Sequence, residues 1–138
     1  MKLTIENQQI ASTIQLLDEL SLKGKESRHR SKLQKALKGH LEEVAEQEQA
    51  LLKEHCRLDE KGNIKLLNEG EHYDVIDPIA FKSEQKELYQ ETFTVEGSNM
   101  EETLQVIKMV LEESEVCYSG KQAEAYDLLC EELEKVDE

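Results

Sequence analysis

The steps between apolar residues in the second quarter of the chain constrain its fold more than any other feature. Leu33, Leu37, Leu41, Val44, Leu51 and Leu58 stand on one series of three- and four-residue steps, and Glu48 and His55 occupy the two places left in it. Such spacing lays a single stripe along one helix, close to a heptad seam. The single proline, Pro78, lies well outside this run, so nothing in it forbids a continuous helix. The pattern predicts a helix over about 28–58, roughly 45 Å long at 1.5 Å per residue. Ser27 or Ser31 is placed to cap it, and Asp59-Glu60-Lys61-Gly62-Asn63 ends it in a turn. The seam must then be covered, either by the rest of the chain or by a second copy.

The remaining elements follow from the same periodicities. Leu3 and Ile5 alternate with Lys2, Thr4 and Glu6, a strand signal, and Thr92-Phe93-Thr94-Val95-Glu96 alternates likewise and is its natural partner. Asn7 is placed as an N-cap for a helix over about 8–20 carrying Ile10, Ile14 and Leu17, which Lys23-Gly24-Lys25 breaks. That helix and the long one make an αα-hairpin over 8–58. Ile64, Leu66 and Leu67 suit one short strand and Tyr73-Asp74-Val75-Ile76 another. Asp77-Pro78 reads as N-cap and first residue of a helix over about 78–90. Ser98 or Asn99 is placed to cap a fourth helix whose inner face is Leu104, Ile107, Val110 and Leu111. A fifth, over about 121–136, shows Tyr126, Leu129, Leu133 and Val136 on one face. The expected class is mainly α: a helical bundle built on one long helix and an αα-hairpin, with a small two-stranded antiparallel sheet. At 138 residues the expectation is a single domain, 1–138.

Charge is distributed unevenly. Residues 21–38 hold Lys23, Lys25, Arg28, Arg30, Lys32, Lys35 and Lys38 against Glu26 alone, a net +6, whereas residues 39–138 carry −18 and the whole chain −14. Such polarity speaks to partners rather than to fold. Arg28, Lys32 and Lys35 fall at i, i+4 and i+7 and share one helix face, while Arg30 falls off it. Three uses compete for this stretch. The acidic helices fold back on it and pair, or it docks an acidic protein surface through Lys23, Lys25, Arg28, Arg30, Lys32 and Lys35, or it binds nucleic acid. Against the last, the face lacks aromatic residues for stacking and the acidic remainder repels phosphate. The Glu-rich segments 42–48, 112–115 and 131–138 allow the inverse reading, a mimic of nucleic acid, though a solvated helix face accounts for them equally.

Chemistry-bearing motifs are not the source of a function here. The histidines His29, His40, His55 and His72 make no HExxH, and none stands at ligand spacing from another. His40 and His55 lie beside the apolar seam and read as core or rim residues. In the turn at 59–63, Lys61 stands where a calcium loop requires an oxygen ligand. The sequence holds no phosphate-binding glycine loop and no nucleophile elbow. Cys56, Cys117 and Cys130 are odd in number and far apart, and read as reduced thiols that pack as small hydrophobes. The expectation is therefore a non-enzymatic protein without metal or cofactor. The first residues have no secretory h-region and no segment reaches the length of a membrane span, so a cytoplasmic protein without membrane association is expected.

Several stretches in order along the chain carry a resemblance. MKLTIEN at the start, LSLKGKESRHRSKL at 20–33, ALLKEHCRLDEKGN at 50–63 and SGKQAEAYDLLCEELE at 119–134 resemble a family of small tailed-phage and prophage proteins, domain of unknown function 1617. The most specific piece is the LxLKGKxSRxRxKL pattern, carried by Leu20, Leu22, Lys23, Gly24, Lys25, Ser27, Arg28, Arg30, Lys32 and Leu33. Residues 63–90 depart most from it. The resemblance implies a phage of Gram-positive bacteria and the infected bacterial cytoplasm, and implies no activity. Together these readings give a phage accessory protein that binds a host or phage protein, as an inhibitor of a host or defence protein or an assembly chaperone. The alternatives are a structural virion component and a nucleic-acid-binding protein using 23–38. A homodimer through the long helix is a further expectation.

Overall fold

The structure, a computed structural model, describes residues 1–67, 70 and 72–135. Its elements run β1 (Leu3–Glu6), α1 (Ile10–Asp18), α2 (Lys25–His55), β2 (Leu66–Leu67), β3 (His72–Tyr73), α3 (Pro78–Gln90), β4 (Thr92–Val95), α4 (Glu101–Glu113) and α5 (Gly120–Glu134). The fold is mainly α, with the long helix, the αα-hairpin and the small sheet that the periodicities predict. The contacts group into two compact units, residues 1–41 with 92–138, and residues 42–91.

In the first unit β1 and β4 pair antiparallel, Leu3 opposite Val95 and Ile5 opposite Phe93. Leu3, Ile5 and Val95 point into the core, and on the other face the hydroxyls of Thr4 and Thr94 meet at 3.0 Å. α1 contributes Ile10, Ile14, Leu16 and Leu17 to that core, α2 Leu33 and Leu37, α4 Leu104, Ile107, Val110 and Leu111, and α5 Leu129 and Leu133. Fully burying a side chain of this kind stabilises by about 1.5–3 kcal/mol, so this cluster dominates the energetics of the unit. Leu33 and Leu37 are wholly covered by the chain itself, which occupies that half of the seam intramolecularly. Polar stitches fix the hairpin. Gln34 donates to the Ile14 carbonyl at 3.3 Å and to Asp18 Oδ1 at 2.7 Å. His40 stacks on Phe93 at 4.1 Å and bonds Asn7 Oδ1 at 2.8 Å.

The second unit has less to bury: Val44, Leu52, Cys56 and Leu88. The chain after α2 closes on itself through a ring of backbone hydrogen bonds. Arg57 N–H donates to Asp74 O at 2.9 Å, Asp74 N–H to Lys65 O at 2.9 Å and Lys65 N–H to Arg57 O at 2.8 Å. Arg57 Nη1 adds a 2.9 Å bond to Asp74 Oδ1. β2 and β3 pair antiparallel, Leu66 opposite Tyr73. The two polar places in the seam are met by α3. The Tyr89 hydroxyl donates to Glu48 Oε1 at 2.7 Å, a bond that, with some burial, raises the tyrosine pKa. His55 Nε2 meets Glu84 Oε2 at 2.6 Å.

Several expectations need correction. α2 starts at Lys25 rather than 28, because Gly24 adopts φ +62° and its carbonyl takes the first helical bond from Arg28 N–H at 3.1 Å. A left-handed residue suits glycine, and it places Ser27 and Ser31 inside the helix instead of at its cap. α2 ends at His55, not 58, since Cys56 and Leu58 bridge to Val75 and Ile64. Leu52 and Cys56 are buried where the heptad series has Leu51 and Leu58, and Leu58 is 46% exposed. At roughly 100° per residue Leu52 stands about 80° round the helix from Val44, so the buried stripe changes to a neighbouring side of α2, a shift that helix drift of about 20° per heptad does not account for. Asn7 is no cap: it is buried in a single 3-10 turn at Asn7–Gln9, where Gln9 Oε1 accepts from the Glu6 N–H at 3.2 Å. The cap position of α4 is Met100, without a side-chain cap bond, because the Gly97–Met100 turn, closed by Met100 N–H to Gly97 O at 3.0 Å, takes up Ser98 and Asn99. Asp77 caps α3 as expected, accepting from Ile79 N–H and Ala80 N–H at 3.1 Å each. Val136, and the end of the Glu-rich segment 131–138, lie outside the described residues.

Candidate docking face on the long helix

The basic stretch divides into two sets by what α2 does with its sides. The inward and lateral cations are consumed locally. Arg30 Nη1 donates to the Leu17 carbonyl at 3.2 Å and to the Leu20 carbonyl, placing a positive charge at and just beyond the C-terminal end of α1, where it suits the helix dipole. Lys25 pairs with Glu102 at 2.6 Å, and this bond holds the Glu102 carboxyl below its ordinary range. His29 Nδ1 is hydrogen-bonded to the buried Thr103 Oγ1 at 2.8 Å. Lys32 donates to the Asn99 carbonyl.

The outward set is different. Lys23, Arg28, Lys35 and Lys38 are exposed, and among the described residues none of their side chains forms an ion pair or hydrogen bond. Arg28 and Lys35 are seven residues apart and point the same way; Lys32 lies between them and Lys38 beside them. Together they make a cationic face about 15 Å long at 1.5 Å per residue. Of the six predicted docking residues, Lys23, Arg28 and Lys35 therefore remain available, while Lys25, Arg30 and Lys32 already have partners within the first unit. Of these last three only Lys25 meets an acidic side chain among the described residues, Glu102; Arg30 and Lys32 bond backbone carbonyls.

Two features were not visible in the sequence. Leu58, Leu66, Leu67, Tyr73, Ile76 and Ile79 are large apolar residues with exposures of 43–84%, and all stand between residues 58 and 79. Glu54, His55 and Glu84 bring one ligand atom each to within 4.8 Å of one another. Glu84 is 29 residues from His55, so no spacing rule links them. The turn at Asp59 is an Asx turn, its Oδ1 accepting from Lys61 N–H at 2.9 Å and Asn63 N–H at 3.0 Å. No helix among the described residues is long and apolar enough to cross a membrane. Of the cysteines, Cys56 is buried, Cys130 half-buried and Cys117 exposed; burial pushes the Cys56 thiol up, with Asp74 adding to it.

Comparison with protein-family models, with curated proteins and with solved structures finds no match for this chain.

Proposed function

We propose that this protein acts by binding, as a non-enzymatic accessory protein that docks on an acidic surface of a protein partner through the outer face of α2. The carrying observation is that the side chains of Lys23, Arg28, Lys35 and Lys38 stay exposed and without a partner among the described residues, although the sequence holds 31 Asp and Glu residues. Exposed charges of one sign gathered on a rigid helix steer association and fix register. The large apolar residues left exposed between 58 and 79 support the same class of function, since a protein that binds another covers apolar surface in doing so. The resemblance of the 20–33 stretch to small phage proteins sets the partner among host or phage proteins in the infected bacterial cytoplasm, as an inhibitor of a host or defence protein or an assembly chaperone.

The test is a nuclease-treated pull-down from host and infected-cell lysate, with Arg28→Glu/Lys35→Glu/Lys38→Glu beside the wild type. Arg30 and Lys32 are left intact because their bonds hold the fold. A protein retained by the wild type and lost by a variant with an unchanged circular dichroism spectrum is the expected result. Equal recovery by both baits overturns the reading. Recovery of nucleic acid without nuclease, with affinity falling steeply in salt, would move the face to the nucleic-acid alternative.

A further inference from the structure

We infer that Glu54, His55 and Glu84 form a binding site for a divalent transition cation, zinc in the first instance, that clips the end of α2 to α3. Three points no more than 4.8 Å apart share a centre within about 2.8 Å of each. Bonds from zinc to imidazole nitrogen and carboxylate oxygen are about 2.0–2.2 Å, so small rotations of the exposed Glu54 and Glu84 side chains complete the geometry. The donor set is mixed: a neutral imidazole and two carboxylates, which suits a borderline cation and leaves positions for water.

The surroundings are arranged for this. His55 is the last residue of α2, where the helix end carries partial negative charge. Its side chain is 15% exposed, and the Phe81 ring meets it edge-on at 6.0 Å, so the imidazole is oriented by packing before any ion arrives. The carbonyl of His55 is already bonded to Ile76 N–H at 2.8 Å, which fixes the backbone of the ligand. Residues 42–91 carry a net charge of −8, a field that draws cations. The unit also has a use for a clip, because only Val44, Leu52, Cys56 and Leu88 are its buried apolar residues among those described. An ion bound by the folded unit and not by the unfolded chain stabilises it by mass action.

The experiment is calorimetric titration of the full chain with zinc chloride alone, with the thermal midpoint recorded across the same concentrations. One ion per chain, a low-micromolar Kd and a midpoint rising with zinc are expected. His55→Ala and Glu84→Gln should each weaken binding by about tenfold or more, and His72→Ala should not. Glu54→Gln, at an exposed position, serves where His55→Ala fails to fold, and should also weaken binding. Absence of binding at 100-fold higher zinc overturns the site, as does binding undiminished in Glu84→Gln and Glu54→Gln. Cobalt in place of zinc gives a further check. A sulfur-to-metal charge-transfer band would place the ion on a cysteine, and its absence with retained affinity is the expected result.

Discussion

The two compact units are built from the same kind of sequence and solve burial differently. The first gathers eighteen buried apolar or small residues into one cluster, sixteen from β1, α1, α2, β4, α4 and α5, with Leu20 and Met100 beside them. The second has its large apolar residues on both sides of the surface: Leu52 and Leu88 are buried, whereas Leu66, Ile76 and Ile79 are at least half exposed. Its order comes more from polar bonds, Tyr89 to Glu48, His55 to Glu84 and the backbone ring at Arg57, Lys65 and Asp74. Apolar burial is non-directional and accumulates with area, while hydrogen bonds exchange with water and contribute about 0.5–1.5 kcal/mol net each. A chain can therefore hold one part firmly and another loosely without changing its composition.

The largest expected effect comes from the core of the first unit. Leu104→Ala, at a fully buried position, should cost about 3–4 kcal/mol, measured by urea unfolding followed through amide exchange of β1 and β4. A cost below about 1 kcal/mol would dissolve the contrast. Leu52→Ala should cost about 2 kcal/mol and act on the second unit, read through Cys56, whose thiol is buried and raised in pKa. At neutral pH, Cys117 should alkylate at once, and Cys56 slowly in the wild type and faster in this variant, while β1 and β4 amides stay protected. Arg30→Ala removes a guanidinium from the carbonyls of Leu17 and Leu20 and should cost about 2 kcal/mol, against less than 0.5 for the exposed Arg28→Ala. Equal costs would show that the inner and outer cations do not differ.

Asp77→Ala removes the cap of α3 and should cost about 1 kcal/mol, again seen as faster Cys56 labelling. The smallest effect is electrostatic. Lys25 lowers the Glu102 pKa in the folded chain, so the pair contributes above the ordinary carboxyl range and its contribution is lost as pH falls through the lowered folded value. Glu102→Gln should shift the urea midpoint slightly at neutral pH and not at all in strong acid. A shift that persists in acid would mean the side chain matters for packing instead of charge.

The helices were legible because each carries its own periodicity, and Asp77-Pro78 and the alternation at 3–6 and 92–95 marked boundaries through local chemistry. Where the reading slipped, a choice depended on residues far away or on backbone geometry. Gly24 could end one helix or open the next, and only its left-handed φ decided for the second. The seam was read as one continuous stripe, whereas beyond Val44 the buried side of α2 is set by what packs there, with Leu52 and Cys56 inside and Leu51 only partly so, and that choice depends on residues far away in the sequence. The basic face was visible as composition. Which of its members serve the fold was not, because Arg30 reaches carbonyls and Lys25 a carboxylate whose positions follow from how α1 and α4 pack. Glu48 and His55 stood out as polar interruptions of an apolar series, and each proved to be the residue that α3 addresses.

The pairing of β1 with β4 has a consequence for the order of synthesis. Leu3 cannot meet Val95 until some ninety further residues have been made, and α4 and α5 follow later still. At roughly 5–20 residues per second, the Leu-rich inner faces of α1 and α2 leave the ribosome several seconds before the strand and helices that cover them. That interval is the synthesis of the acidic segment 42–91 itself, whose own elements are local in sequence, so the part with the smaller core is free to fold before β4 is made. The nascent chain then carries an apolar hairpin followed in sequence by a segment of net charge −8, and net charge of that size favours solubility over the time that β4, α4 and α5 take to be made.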